Sequence, residues 1–106
     1  MNISWIFLIL AGVFEIGFTT SLKMTEGFTR LTPTGVFLLF SMLSFWCLNK
    51  AIETIPLGIA YAVWTGIGAA GTACVGAIFF GDDLGVWKIF FIGTLVASIF
   101  GLKMID

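Results

Sequence analysis

Glu15 stands in the stretch FEIGFTTSLK with apolar residues on both sides, a carboxylate set deep in the first apolar run of the chain. It lies eleven residues after Ser4. At about 1.5 Å per helical residue that is about 16 Å of depth, close to the middle of a hydrocarbon core about 30 Å thick. Inserting an acid at the centre of a membrane helix costs roughly 2.5–3.5 kcal/mol, so such a residue is read first as a functional site. Burial penalises its charged form, and the charge can be relieved by a proton or by a bound cation. Competition between the two is the minimal machinery of proton-coupled cation export. The structural alternative is a protonated Glu15 hydrogen-bonded to a neighbouring helix.

Helical spacing gathers Leu8, Ala11, Gly12, Phe18, Thr19 and Leu22 around the face that carries Glu15. Gly12 and Ala11, one turn earlier, leave room beside the carboxylate. A second group falls in IAYAVWTGIGAAGTACVG, where Tyr61, Trp64, Thr65 and Gly68 share one helical face. It joins two aromatic surfaces, which attract cations, to a hydroxyl and an indole donor. Tyr61 also suits an anchor at the membrane surface. Gly66, Gly68, Ala69, Ala70, Gly71 and Ala73 in the same run permit either a bend or close static packing. Ser44, in FSMLSFWCLN, is a buried hydroxyl able to reach a carboxylate or to bond its own backbone.

These residues need elements to hold them, and the composition says which. Of the 106 residues 59% are hydrophobic and 10% charged, and the mean hydropathy is +1.13, too apolar for a water-soluble domain. Four spans of membrane-crossing length are expected at residues 4–22, 33–49, 56–80 and 86–104. The connections between them are short, so consecutive helices are antiparallel neighbours. The expected fold is an all-α integral membrane protein, one four-helix transmembrane unit over residues 1–106, with the lipid bilayer as its solvent. No Lys or Arg precedes the first apolar run, an acid lies within it and further spans follow, so it is read as mature protein rather than a secretory signal. Cys47 and Cys74 lack metal-ligand spacing, the chain has no His, and both cysteines are read as small packing residues.

The charges scarcely fix an orientation. Lys50 and Lys103 fall on one side of the membrane, and Lys23, Arg30 and Lys88 on the other. A chain so balanced can insert both ways, and opposite copies can pair as an antiparallel, dual-topology dimer. The fourth span carries Gly93, Ala97 and Gly101 at steps of four, a row of small residues that lets helix backbones approach closely.

AGVFE in the first span, PLGIAYAVWTGIG opening the third and GLK near the end together resemble the small multidrug resistance transporters, over essentially the whole chain. The resemblance implies an antiparallel dimer in the bacterial inner membrane whose two central glutamates bind protons or cations in turn. LKMTEGFTRLTP and AVWTGIGA are similar to the guanidinium-exporter subgroup. By that likeness Glu15 is the central carboxylate, Ser44 the second-helix hydroxyl near it, Tyr61 and Trp64 the aromatics of the site, and Gly12 the small position one turn before the acid. The subgroup pattern expects Trp where this chain has Phe18, which keeps an aromatic face and loses an N–H donor. The network around Glu15 and Ser44 is then incomplete or rebuilt, for instance through Thr19. Substituted guanidinium compounds, quaternary ammonium ions or work with a paired, different subunit all stay open.

The leading expectation is a proton-coupled exporter of small organic cations, guanidinium first among them, with Glu15, Tyr61, Trp64, Ser44, Gly12, Phe18, Thr19 and Thr65 around proton and substrate. A passive membrane subunit is the second class. A lipid-linked sugar flippase or polyamine carrier is the third, and the flippase is disfavoured because no Lys or Arg lies deep in a span. An enzyme is least expected, since no nucleophile–base pair, metal cluster or phosphate loop is present in the sequence. No cofactor, metal or nucleic-acid partner is expected.

Overall fold

The computed structural model describes residues 2–105; Met1 and Asp106, the ends of the expected 1–106 unit, lie outside the described residues. Four helices run in order: α1 (Ile3–Met24), α2 (Leu31–Ala51), α3 (Leu57–Phe79) and α4 (Gly85–Ile105). All four are long and apolar enough to cross a membrane. A helix satisfies its backbone groups internally, as hydrocarbon requires.

Local chemistry sets the ends. The Asn2 side chain accepts the Trp5 N–H at 3.1 Å and caps α1. α2 starts two residues earlier than its expected bound of 33, because Pro33 falls in the first turn, where a missing N–H costs nothing. Pro56 is the N-cap of α3. Between α1 and α2, buried Thr25 donates to the Leu22 carbonyl at 2.7 Å and accepts the Phe28 N–H at 3.2 Å. The chain then turns through positive φ at Glu26, Gly27 and Phe28 (50°, 74° and 66°), a conformation that only Gly takes without penalty.

α1 is the centre of the arrangement. It packs against both α2 and α3, while the α2 and α3 backbones come close at few points and α4 packs mainly on α3. The result is a flat body of 41 × 34 × 19 Å. Its core joins Trp5, Leu8 and Ala11 of α1 to Cys47 of α2 and to Ala60, Val63 and Trp64 of α3. Cys47 packs as expected; Cys74 instead lies exposed on α3. Two lysines tie helix ends together through aromatic faces, Lys23 over Phe80 at 4.9 Å and Lys103 over Trp5 at 5.4 Å. No residue of α4 is buried, and Trp87, Phe90, Phe91 and Phe100 are exposed along it. Such a surface is unremarkable in lipid and untenable in water.

Candidate functional site

Small residues bring α1 and α3 together. A Cβ at Gly12 would stand 2.7 Å from the Ile67 Cβ, and one at Gly71 would collide with the Ile16 Cδ1. Between these two contacts, a Cβ at Gly68 would fall on the Glu15 carboxylate. Gly68 and Gly71 of α3 therefore serve close packing within one unbroken helix, and Gly68 gives the acid its place. Gly12 differs from the expectation of room beside the carboxylate. Its missing side chain is filled by Ile67, because it points into the α1–α3 contact rather than toward the acid.

Glu15 opens into a cavity of 230 Å³ lined with Thr19, Thr65, Gly68, Ala69 and Thr72. A single water occupies about 30 Å³ of liquid, so the space suffices for a small organic ion. Glu15 Oε1 is buried and has no hydrogen-bond partner among the described residues; Thr72 Oγ1 is in the same position. No lysine or arginine pairs with Glu15 among the described residues, whose ion pair is the surface contact of Lys50 with Glu53 at 3.8 Å. The cavity is neutral apart from the carboxylate. Thr19 lines it while donating to the Glu15 backbone carbonyl, and Thr65 lines it while donating to the Tyr61 carbonyl at 2.8 Å.

The remaining residues expected at the site form a second group. Ser44, fully buried, donates to the Ala11 carbonyl at 2.7 Å and accepts the Trp64 indole N–H at 3.0 Å. Both its bonds go to partners other than the Glu15 carboxylate. Tyr61 is 56% exposed, with its ring 5.7 Å from that of Trp64. Trp64 meets Phe45 at 5.6 Å, and Phe45 stacks on Phe18 at 6.1 Å. Phe18 also meets Phe37 edge-on at 6.0 Å. An aromatic row thus crosses α3, α2 and α1 beside the Ser44 network, and none of Ser44, Trp64, Tyr61, Phe18 or Gly12 lines the Glu15 cavity. Gly93, Ala97 and Gly101 lie apart on α4, all exposed, with open space beside both glycines.

Thr72 is the residue that the sequence reading passed over. Its signal is present in TGIGAAGT, where Thr65, Gly68, Ala69 and Thr72 recur at helical spacing and put a second hydroxyl on the face of Gly68.

A family model described as Small Multidrug Resistance protein matches residues 3–95. The chain belongs to this family. The match takes in both groups of residues above and ends within α4. Among curated relatives, a protein named "Guanidinium exporter" from Proteus vulgaris is 44% identical over 101 residues, covering 95% of this chain and 97% of its own length. One of the same name from Citrobacter freundii is 44% identical over 95% of this chain and 96% of its own, and one from Salmonella typhi is 42% identical with the same coverage. Family membership and four apolar helices together make this small multidrug resistance protein a multi-pass membrane protein.

Proposed function

We propose that this chain is a proton-coupled antiporter that exports small organic cations, most fittingly guanidinium or substituted guanidinium compounds, from the cytoplasm of a bacterium across its inner membrane. The observation that carries the reading is the Glu15 carboxylate, with a buried and unpartnered oxygen, in a cavity that has no other charge. A carboxylate so placed needs a positive partner, and none comes from the protein. Proton and cation then exclude one another at Glu15, and a site open to one side at a time converts that exclusion into exchange. Guanidinium suits a carboxylate because its planar N–H fork matches both oxygens.

The working unit is an antiparallel dimer of two copies, which brings two Glu15 carboxylates to one site and covers α4. Support comes from α4, which has no fully buried residue and exposes its row of Gly93, Ala97 and Gly101, and from the near balance of charge between the two membrane sides. In that unit Glu15 binds proton or cation and Thr19 and Thr65 wall the cavity. Tyr61 and Trp64 supply aromatic surface, while Ser44, Gly12 and Phe18 hold α1, α2 and α3 in register behind it. The aromatic row favours a second reading, export of quaternary ammonium ions, as a homodimer or with a paired family member.

The test is transport by the purified protein in liposomes on a solid-supported membrane, with guanidinium and tetramethylammonium as substrates and Glu15→Gln as control. Guanidinium currents lost in the variant are the expected result. Currents with tetramethylammonium alone select the second reading, and silence with every cation overturns both.

A further inference from the structure

Among the described residues, one buried hydroxyl of the helices has no hydrogen-bond partner, that of Thr72. Thr19, Thr20, Ser21, Thr65 and Ser98 each donate to the carbonyl four residues earlier, the usual refuge of a hydroxyl in an apolar medium. Ser44 reaches across to Ala11 instead. Thr72 does neither: its Oγ1 is buried, and no partner meets it among the described residues. It lines the cavity that holds the other buried and unpartnered side-chain oxygen among the described residues, Oε1 of Glu15.

An unpaired buried hydroxyl is costly in hydrocarbon, and two unpaired oxygens in one cavity call for a common partner. Glu15 as a carboxylate can only accept, while the Thr72 hydroxyl can accept as well as donate. A small cation that carries two or more N–H donors can satisfy both oxygens at once. We propose that Thr72 is a specificity-determining residue of the cation site: its Oγ accepts an N–H from the cation that Glu15 holds, and so favours ions that carry N–H groups over fully alkylated ammonium ions. This rests on the reading of Glu15 as the cation site and adds the feature that selects among cations. Guanidinium gives N–H donors to both oxygens. Tetramethylammonium has none, satisfies the carboxylate by charge alone, and leaves Thr72 as it was.

The experiment compares the unaltered protein with Thr72→Val, which keeps the shape and removes the hydroxyl, and with Thr72→Ser, which restores it. Thr20→Val serves as a control, since Thr20 bonds its own helix and does not line the cavity. Loss of a hydrogen bond to a charged group weakens binding by about tenfold or more. Thr72→Val is expected to raise the KM for guanidinium by that factor with little change in maximal current, Thr72→Ser to stay near the unaltered value, and tetramethylammonium to be indifferent to all three. If Thr72→Val is not recovered in folded form, Thr72→Ala replaces it. An unchanged KM for guanidinium, an equal loss for both ions or a loss that Ser does not restore overturns the inference. Where tetramethylammonium gives no current even in the unaltered protein, the guanidinium KM and its rescue by Ser decide. The reading of Glu15 fails separately, by the absence of any guanidinium current sensitive to Glu15→Gln in the unaltered protein.

Discussion

The indole N–H of Trp64 donates to the hydroxyl of Ser44 at 3.0 Å, and that one hydroxyl ties three helices together. Trp64 comes from α3, Ser44 from α2, and the hydroxyl's own proton goes to the Ala11 carbonyl on α1 at 2.7 Å. The backbones of α2 and α3 come close at few points, so this link adds to the packing of Phe45 and Cys47 against Trp64 and its neighbours. It also leaves the Glu15 carboxylate free of protein donors from α2.

Ser44→Ala should therefore act on stability first. It strands the buried Trp64 N–H and deprives the Ala11 carbonyl of a donor, at about 1–3 kcal/mol for a buried group left unsatisfied. Thermal unfolding in detergent is expected to show a lowered Tm, with Ser44→Thr closer to the unaltered protein. An unchanged Tm accompanied by altered cation affinity would instead put Ser44 in contact with the substrate.

Gly68 and Gly12 make opposite predictions from the same kind of substitution. At position 68 a new Cβ meets the far end of the Glu15 side chain, which can rotate away; at position 12 it meets the Ile67 Cβ, which cannot move without its helix. Gly68→Ala is expected to preserve folding and abolish cation transport. Gly12→Ala is expected to destabilise by about 1–3 kcal/mol through overpacking. Gly35→Ala, where nothing lies within 4 Å, controls for the change itself. Unfolding curves and transport currents on the same preparations separate the cases, and a Gly68→Ala protein with normal currents would remove Glu15 from the cation site.

The contrast between these positions explains what sequence could and could not convey. Four helices were legible because charged residues punctuate long apolar runs, and Glu15 stood out because an acid among them is expensive. The start of α2 is less legible, because Pro33 fits the first turn of a helix as well as its first position. Ser44 was legible as a buried hydroxyl, yet its partner is a backbone carbonyl on another helix, and no side-chain pattern marks that. Gly12 and Gly68 look alike in sequence; only their neighbours, Ile67 and Glu15, divide them into a packing position and a site position. Thr72 was hidden because its significance lies in the bond it does not make.

Phe18→Trp tests whether the aromatic row belongs to the substrate or to the scaffold. The Phe18 ring sits between Phe37 and Phe45 of α2 and does not line the Glu15 cavity. A larger ring there is expected to cost about 1–3 kcal/mol by overpacking and to leave the guanidinium KM unchanged. A lower KM, measured by the same currents, would mean that position 18 reaches the cation and that its missing N–H donor sets substrate choice.

The last prediction concerns α4, which has no fully buried residue and has open space beside Gly93 and Gly101. Within one copy, a Cβ at either position has no described heavy atom within 4 Å, so Gly93→Ile or Gly101→Ile should leave the monomer's helices intact. Circular dichroism is the check. If α4 is where two copies meet, the same substitutions keep the backbones apart and remove the close approach that small residues allow. Chemical cross-linking in liposomes is then expected to shift from dimer to monomer, with transport lost in parallel because a lone copy leaves the Glu15 cavity without its other half. Dimers that persist with both substitutions combined would place the contact on another face, and the exposed rings of α2, Phe45 and Trp46, become the surface to test next.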